Sequence, residues 1–404
     1  MHIVLVCREY IGSARAGGIA SYMYEIGKAY TAQGHHVTII TASDDTRRSN
    51  DTSVDGIRVI SLSGADFWIP SVEGGSKLKK LRCIYRFKSY RKKIRRTIKE
   101  LHNVDIIEVA DYGAEGLYLN NLNIPIAVRL HTPQSLLRYN LEVAKPQWWE
   151  LHKSIPIKAE KYIFEHSKYI TSCSQSLLDW TAQNFDISDA KTAVIKNPVT
   201  IPKVADIKKG PNAKPTIFFA GTICDSKGVG ELVYACNILR NKGIDIQLNL
   251  AGKGGLYKDY IEQTITTKGW DWVHFLGKLP REQVYTNYIS ADICCFPSWW
   301  ENMPMVVLES MALGALVVST ASGGTVEIIR NDVNGFLCEQ QNSESLADTI
   351  EKALNLTESQ RRQIQSNAIK TISTDFSIEK ISAEMLRYFK DVIRDYNLKN
   401  HSSN

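Results

Sequence analysis

Short apolar-rich runs and longer stripes of helical period alternate along this chain. Residues 2–7 (HIVLVC) and 36–41 read as strands, and residues 19–33 between them repeat their apolar positions at helical spacing up to a stop at Gly34. Together these segments predict a β-α-β unit. Further strands are expected at residues 57–61, 104–109, Ile126–Leu130 and Tyr169–Ser172, with helices at Lys77–Lys99 and 153–165. The pattern then lapses: residues 197–215 hold four prolines and little periodicity, which predicts an interdomain linker. A second series follows, with strands at Thr216–Ala220, 245–251, 273–276, 292–296 and 316–319 and helices at Val229–Asn241, Arg281–Ser290 and 305–313. A last helical pattern, 377–396, runs into a polar tail, and no internal repeat is visible. Two separated series predict an α/β chain of two doubly wound domains on parallel sheets, each receiving ligands at the C-terminal ends of its strands. The expected boundaries are 1–200, 201–375 and 376–404.

Length agrees with this division, because 404 residues exceed what one hydrophobic core usually serves. With 44% hydrophobic residues, burial is ample. No stretch reaches the roughly 18 to 20 apolar residues of a membrane span, and Met1 leads into a strand without a signal-peptide pattern, so a cytoplasmic location is expected. Eight scattered cysteines without a Cys-x-x-Cys pair argue against a zinc site or a disulfide framework and fit reduced core residues.

Charge adds one asymmetry. The segment Lys77–Lys99 carries twelve of the 49 Lys and Arg residues and none of the 43 Asp and Glu, so the rest of the chain is net acidic despite an overall +6. Ile84, Phe87, Ile94, Ile98 and Leu101 fall near one helical stripe. A basic amphipathic helix suits an anionic membrane surface, which would make the protein peripheral on the inner face of the cell membrane. The alternative is a solvated helix packed on its own domain. Nucleic acid is the weakest partner, since no recognised nucleic-acid module accompanies the patch.

The chemistry concentrates in residues 297–314 (PSWWENMPMVVLESMALG), where Glu301 precedes a helix start and Glu309 lies inside the helix. Pro304 suits the first helical position and Gly314 the stop. The N–H groups of the first turn would point back over the Glu301 loop, a geometry that attracts hydroxyls and phosphate oxygens. The two carboxylates would grip different parts of one ligand. Three glycine loops follow strands. Gly17-Gly18 opens a helix but lacks the Gly-x-Gly-x-x-Gly dinucleotide fingerprint. Residues 221–228 (GTICDSKG) offer Lys227 beside a glycine, and residues 251–255 (AGKGG) supply close backbone approach or merely turn the chain, without the Ser or Thr of a Walker loop. Asp111 and Glu115 read as a surface turn before an acceptor contact, and the pairs Trp148-Trp149 and Trp299-Trp300 as buried packing before sugar stacking.

Taken together, these residues resemble the retaining glycosyltransferases of family 4. Glu301 and Glu309 match its Glu-x7-Glu donor motif, residues 221–228 its lysine loop, and Gly17-Gly18, the strand ending at His131 and Asn197-Pro198-Val199 occur in the expected order. The resemblance implies a GT-B architecture: two Rossmann-like domains facing a central cleft, an N-terminal one for the acceptor and a C-terminal one for the nucleotide sugar. The final helix would cross back onto the N-terminal domain. It further implies that Glu309 accepts hydrogen bonds from the nucleotide ribose and that Glu301 orients the donor sugar, with amides near Asn302, Met303, Pro304 and Met305 assisting. Lys227 would neutralise the diphosphate together with Gly17, Gly18 and Gly221. His131 would lie near the reacting sugar, and Leu279 in the loop of residues 277–280 at the base-binding edge.

The implied reaction is sugar transfer with retention from a nucleotide-diphosphate sugar to a glycan or lipid-linked acceptor, as in cell-surface polysaccharide, lipopolysaccharide or glycolipid biosynthesis. Lysine and helix dipoles would serve in place of a metal, since no Asp-x-Asp motif is present and no cofactor is implied. The base, whether UDP, GDP or ADP, is left open. Thr222 departs from the family, which often has arginine there, and a threonine cannot make the bidentate phosphate contact of a guanidinium. Arg8, Arg15 and Lys253 are the alternative cations. A noncatalytic nucleotide-sugar sensor or assembly partner on the same fold is the competing function.

Overall fold

The computed structural model describes residues 1–13, 16–45, 47–65, 77–136, 151–200 and 214–401. Most of the expected linker, the Trp148-Trp149 pair and Arg15 lie outside these residues. The chain divides into two compact units, one of Met1–Pro198 with Ile378–Asn404 and one of Val199–Ser377.

The first unit carries an eight-stranded sheet in the order β3-β4-β2-β1-β5-β6-β7-β8. Its strands are β1 (His2–Val6), β2 (His36–Ala42), β3 (Asn50–Val54), β4 (Ile57–Leu62), β5 (Ile106–Ala110), β6 (Ile126–Leu130), β7 (Tyr169–Ser172) and β8 (Lys191–Val194). All neighbours are parallel except β3 with β4. The central strands are buried on both faces, as helix-covered parallel strands must be, and β1 is buried throughout. Among the described residues, four helices lie within Met1–Pro198: α1 (Gly18–Ala32), α2 (Lys77–Lys99), α3 (Leu151–His166) and α4 (Gln175–Asn184).

The last helix, α11 (Ile378–His401), completes this unit. Ile381, Met385, Leu386, Phe389 and Val392 join the core around β1, and Phe389 meets Tyr30 of α1 edge-on at 5.9 Å. Asp395 ties its far end down, accepting from the Tyr169 hydroxyl at 2.7 Å and pairing with Lys191 at 2.6 Å.

The second unit is built on a fully parallel six-stranded sheet in the order β11-β10-β9-β12-β13-β14. The strands are β9 (Thr216–Ala220), β10 (Gln247–Ala251), β11 (Val273–Gly277), β12 (Ile293–Phe296), β13 (Val317–Thr320) and β14 (Phe336–Cys338). The helices are α5 (Val229–Asn241), α6 (Leu256–Lys268), α7 (Arg281–Ser290), α8 (Met305–Ala312), α9 (Ser343–Leu354) and α10 (Glu358–Asp375). The two doubly wound sheets are those the alternating pattern predicts.

The strands absent from that prediction are edge strands. Every residue of β3 is exposed and β8 is exposed or half-buried, so neither leaves an apolar run to read, while β14 is apolar but only three residues long, too short to show a strand pattern. Asp55 and Gly56, both at positive φ, turn β3 into β4, and this Asp-Gly pair was the available signal. The eight cysteines are free, and six of them are buried.

Candidate functional site

In each sheet the strand order reverses at one point, and loops leaving the two strands there diverge to open a crevice. In the second unit the reversal lies between β9 and β12, which are neighbours with β10 and β13 outside them. The loop after β9 is the lysine loop and the loop after β12 carries Glu301, so topology alone brings them together.

Backbone contact then fixes their distance. Gly228, at φ +68°, stands where a Cβ would fall 1.9 Å from the Pro297 carbonyl oxygen, and the Trp299 N–H donates to the Ser226 carbonyl at 2.9 Å. Asp225–Lys227 forms a short 3-10 turn that Gly228 ends, and it directs the Lys227 ammonium onto Glu301 Oε1 as an ion pair. The Ser298 hydroxyl donates to the same oxygen at 3.1 Å. Burial pulls the Lys227 ammonium toward neutrality, but the charge of Glu301 and their hydrogen bond outweigh it, and its pKa is raised. Lys227 therefore remains a cation.

The loop after β13 closes over the other side of Glu301. Gly324 N–H donates to the Glu301 carbonyl at 2.8 Å, and a Cβ on Gly323 would lie 2.2 Å from that oxygen. The Thr320 hydroxyl bonds to the Ser298 carbonyl. These groups were not singled out from the sequence; the Gly323-Gly324 pair after a strand was the signal. The third glycine loop serves the second, the lysine loop, because a Cβ on Gly252 would meet the Gly221 carbonyl oxygen at 1.7 Å and Ile223 N–H donates to the Lys253 carbonyl at 2.7 Å.

Pro304 sits one step earlier than expected: it is the cap of α8, with φ −70° and ψ 112°, and Met305 begins the helix. Val307 and Leu308 N–H donate to its carbonyl at 3.1 and 3.2 Å, and Gly314 ends the helix at φ +74°. Asn302 and Met303 are buried, with the Asn302 amide oxygen accepting from Trp300 Nε1 at 2.7 Å. Trp299 and Trp300 are only half-buried, and Trp299 Nε1 donates to Glu231 at 2.8 Å. Glu309 is mostly buried and takes a partner missed in the sequence, Arg281 at the start of α7, at 3.0 Å. Leu279 lies half-buried just before it, and Thr222 is exposed.

In the first unit the reversal falls between β1 and β5, and the loops after them carry Gly17-Gly18 and Asp111 to Glu115. The reading of Asp111 and Glu115 as a surface turn is wrong: both are buried. Glu115 accepts from Arg8 at 2.7 Å and pairs with the fully buried Arg91 at 3.5 Å. A carboxylate between two guanidiniums explains the burial, and Arg8, one of the alternative phosphate cations, is engaged there. Gly17 caps α1, and a Cβ there would lie 3.1 Å from Glu9 Oε2, whereas a Cβ on Gly18 would meet nothing within 4 Å.

His131 follows β6, buried, with its ring edge-on to Tyr22 at 4.8 Å. Burial and then the neighbouring Arg129 guanidinium hold its pKa well below 6.5, so the imidazole is neutral at neutral pH. Two buried acids brace the loop that His131 opens. Asp111 receives backbone N–H groups from His131 and Thr132, and Glu160 of α3 accepts from Gln134 N–H at 3.0 Å and Ser135 N–H at 3.2 Å. Burial, with Glu160 nearby, pushes Asp111 up to about 8; burial pushes Glu160 up to about 7 against the hydrogen bonds it accepts. Glu108 rises to about 7 for the same reason, opposed by Arg129 and Tyr22.

Comparison with known proteins fits this geometry. A family model described as Glycosyltransferase Family 4 matches residues 16–201, and one described as Glycosyl transferases group 1 matches residues 202–371. The chain belongs to this group 1, family 4 lineage of glycosyltransferases. It is similar to an uncharacterized glycosyltransferase of Methanocaldococcus jannaschii, at 26% identity over 96% of this chain and 98% of the relative. Among solved structures, sucrose-phosphate synthase of Thermosynechococcus elongatus aligns with a TM-score of 0.77 at 22% identity, covering 98% of this chain and 99% of that one. Anabaena HepE in complex with UDP and glucose aligns with a TM-score of 0.71 at 18% identity, covering 97% and 100%. The fold is GT-B and the class of activity is sugar transfer.

Proposed function

We propose that this glycosyltransferase moves a sugar, with retention of anomeric configuration and without a metal ion, from a nucleotide-diphosphate sugar to a glycan or lipid-linked acceptor. The observation that carries this reading is the Lys227–Glu301 pair at the reversal point of the second sheet. A leaving nucleoside diphosphate gains negative charge as the glycosidic bond breaks, and a fixed ammonium there lowers the barrier without reorganising. Glu301, held by Ser298 and by its own carbonyl bond to Gly324, is rigid enough to orient a donor hydroxyl. Glu309, one turn into α8, takes the ribose, and Leu279 with its loop takes the base. The complex of HepE with UDP and glucose supports a nucleotide-sugar donor.

In the first unit, neutral His131 donates or accepts a hydrogen bond at the reacting sugar without adding positive charge beside an oxocarbenium-like centre. Gly18, with open space where a Cβ would stand, leaves room for close backbone approach by a ligand.

Helix α2 supports a peripheral, electrostatic contact with an anionic membrane. Phe87, Tyr90, Ile94 and Ile98 are buried within the unit, so this part of the apolar stripe is committed to the protein's own core, and the face left to headgroups is basic with the exposed Tyr85. No described helix is long and apolar enough to cross a membrane. Co-sedimentation with phosphatidylglycerol vesicles that disappears at high salt supports the contact; equal binding to neutral vesicles contradicts it.

A donor panel read by nucleoside diphosphate release tests the central proposal. Release that requires an acceptor and is abolished by Glu301→Ala in a folded protein supports transfer. Binding without release across the panel points instead to a nucleotide-sugar sensor.

A further inference from the structure

The first unit contains a cavity of about 650 Å³ that the transfer chemistry does not use. One wall is the C-terminal half of α2, which presents Lys92, Arg95, Arg96 and Lys99. The opposite walls are Tyr118, Asn120 and Asn121 from the segment leading into β6, and Tyr162 near the end of α3. Connectivity places it: α2 ends ahead of β5, residues 117–121 ahead of β6, and Tyr162 ahead of β7. These elements therefore converge at the N-terminal ends of the strands, opposite the edge from which His131 leaves β6.

The four cations stand at i, i+3, i+4 and i+7, so they share one helical face and repel one another. Among the described residues, no carboxylate lines the cavity. Arg95 Nε is buried without a hydrogen-bond partner, although a buried guanidinium N–H is costly to leave unpaired. Lys92 Nζ stands 5.9 Å from the Tyr118 ring centroid. A concave cluster of like charge with a buried donor to spare suits an anion of matching shape. Guanidinium forks and ammonium groups together suit a phosphate, and the two asparagines and two tyrosines suit a polar, hydroxyl-bearing body attached to it.

We infer that this cavity is a second ligand site, separate from the transferase centre, that takes a phosphate-bearing ligand with a polar body. The phosphate comes either from a free solute or from the headgroup of an anionic lipid. The inference does not rest on the transfer reading, since none of these side chains takes part in it.

Two probes distinguish the sources, both used with the full chain. Isothermal titration with inorganic pyrophosphate reads the solute, and co-sedimentation with phosphatidylglycerol vesicles reads the headgroup. Arg96→Gln with Lys99→Gln removes two exposed cations with little risk to folding, while Lys88→Gln on the same helix, outside the cavity, is the control. Loss of one saturable pyrophosphate site in the double variant, by at least about tenfold in affinity, with Lys88→Gln and Lys227→Ala retaining that site, establishes a solute ligand. Vesicle binding that falls in the double variant alone, without pyrophosphate binding, assigns the site to a lipid headgroup. Arg95→Lys, which keeps the charge and removes the buried Nε donor, weakens whichever probe binds. Unchanged binding of both probes in the double variant overturns the inference.

Discussion

Gly228 and Pro297 approach so closely that the glycine has no room for a side chain: a Cβ would lie 1.9 Å from the proline carbonyl oxygen. That contact clasps the turn bearing Lys227 to the loop bearing Glu301. Gly228→Ala meets both a steric clash and a left-handed backbone at φ +68°, so the second unit loses about 1–3 kcal/mol or more. Thermal unfolding of the variant measures the loss, and transfer falls with it because the ion pair is displaced. An unchanged melting temperature would contradict the contact.

Lys227→Ala removes the cation and leaves the lysine loop's glycines in place. Under the proposed mechanism kcat falls by about 10²–10³-fold, the size expected for one electrostatic group acting on developing charge. Nucleoside diphosphate release under saturating donor measures it, with circular dichroism to show that the fold persists.

Glu309 and Arg281 predict a different signature. Arg281 is half exposed, so Arg281→Ala shifts stability by only about 0–1 kcal/mol. Glu309→Gln, if Glu309 receives the ribose hydroxyls, weakens donor binding by roughly 1.5–3 kcal/mol, the worth of a charged hydrogen bond. Donor titration of both variants separates a ribose contact from an ion pair that merely holds α8.

Glu115→Ala leaves Arg8 and Arg91 buried without their carboxylate. Breaking a buried ion cluster by removing one partner costs about 3–5 kcal/mol. Chemical denaturation gives this figure. Glu115→Gln, which keeps shape and one acceptor oxygen, is expected to recover part of it.

Stability of the first unit declines as pH rises toward 8. Glu108, Asp111 and Glu160 have folded-state pKa values above their ordinary 4.5, 3.8 and 4.5, so the folded state binds more protons and their contribution is fully present only below about 4. It is lost through about 7 for the glutamates and about 8 for Asp111. His131, depressed from 6.5, works in the opposite direction below that value, which makes pH 6.5 to 8 the window where only the acids contribute. Hydrogen exchange of peptides from α3 and the His131 loop across this window shows the decline, and Asp111→Asn flattens its upper end. A slope of opposite sign would rule this out.

Much of the architecture was legible because a parallel sheet with helices on both faces forces its strands into dense apolar runs, and β1, β6, β9 and β12 announce themselves in that way. The Glu301–Glu309 motif was legible because its spacing is set by one loop and one helix, both local. Glu160 and Arg281 were not. Each gains meaning only from a partner remote in sequence, Ser135 for one and Glu309 for the other. Likewise Asp111 and Glu115 look like polar turn residues until the fold sets guanidiniums and amides around them.

The sequence by itself determined two β-α-β series and the position of the Glu301–Glu309 motif, since periodicity and local spacing carry both, and its motifs carried the resemblance to the family. The basic segment was visible too, but whether its apolar stripe faced lipid or protein was not; burial of Phe87, Ile94 and Ile98 decided that. Tertiary structure alone set Lys227 against Glu301, because adjacency of β9 and β12 is a matter of strand order, and strand order arises from long-range pairing that no local pattern encodes.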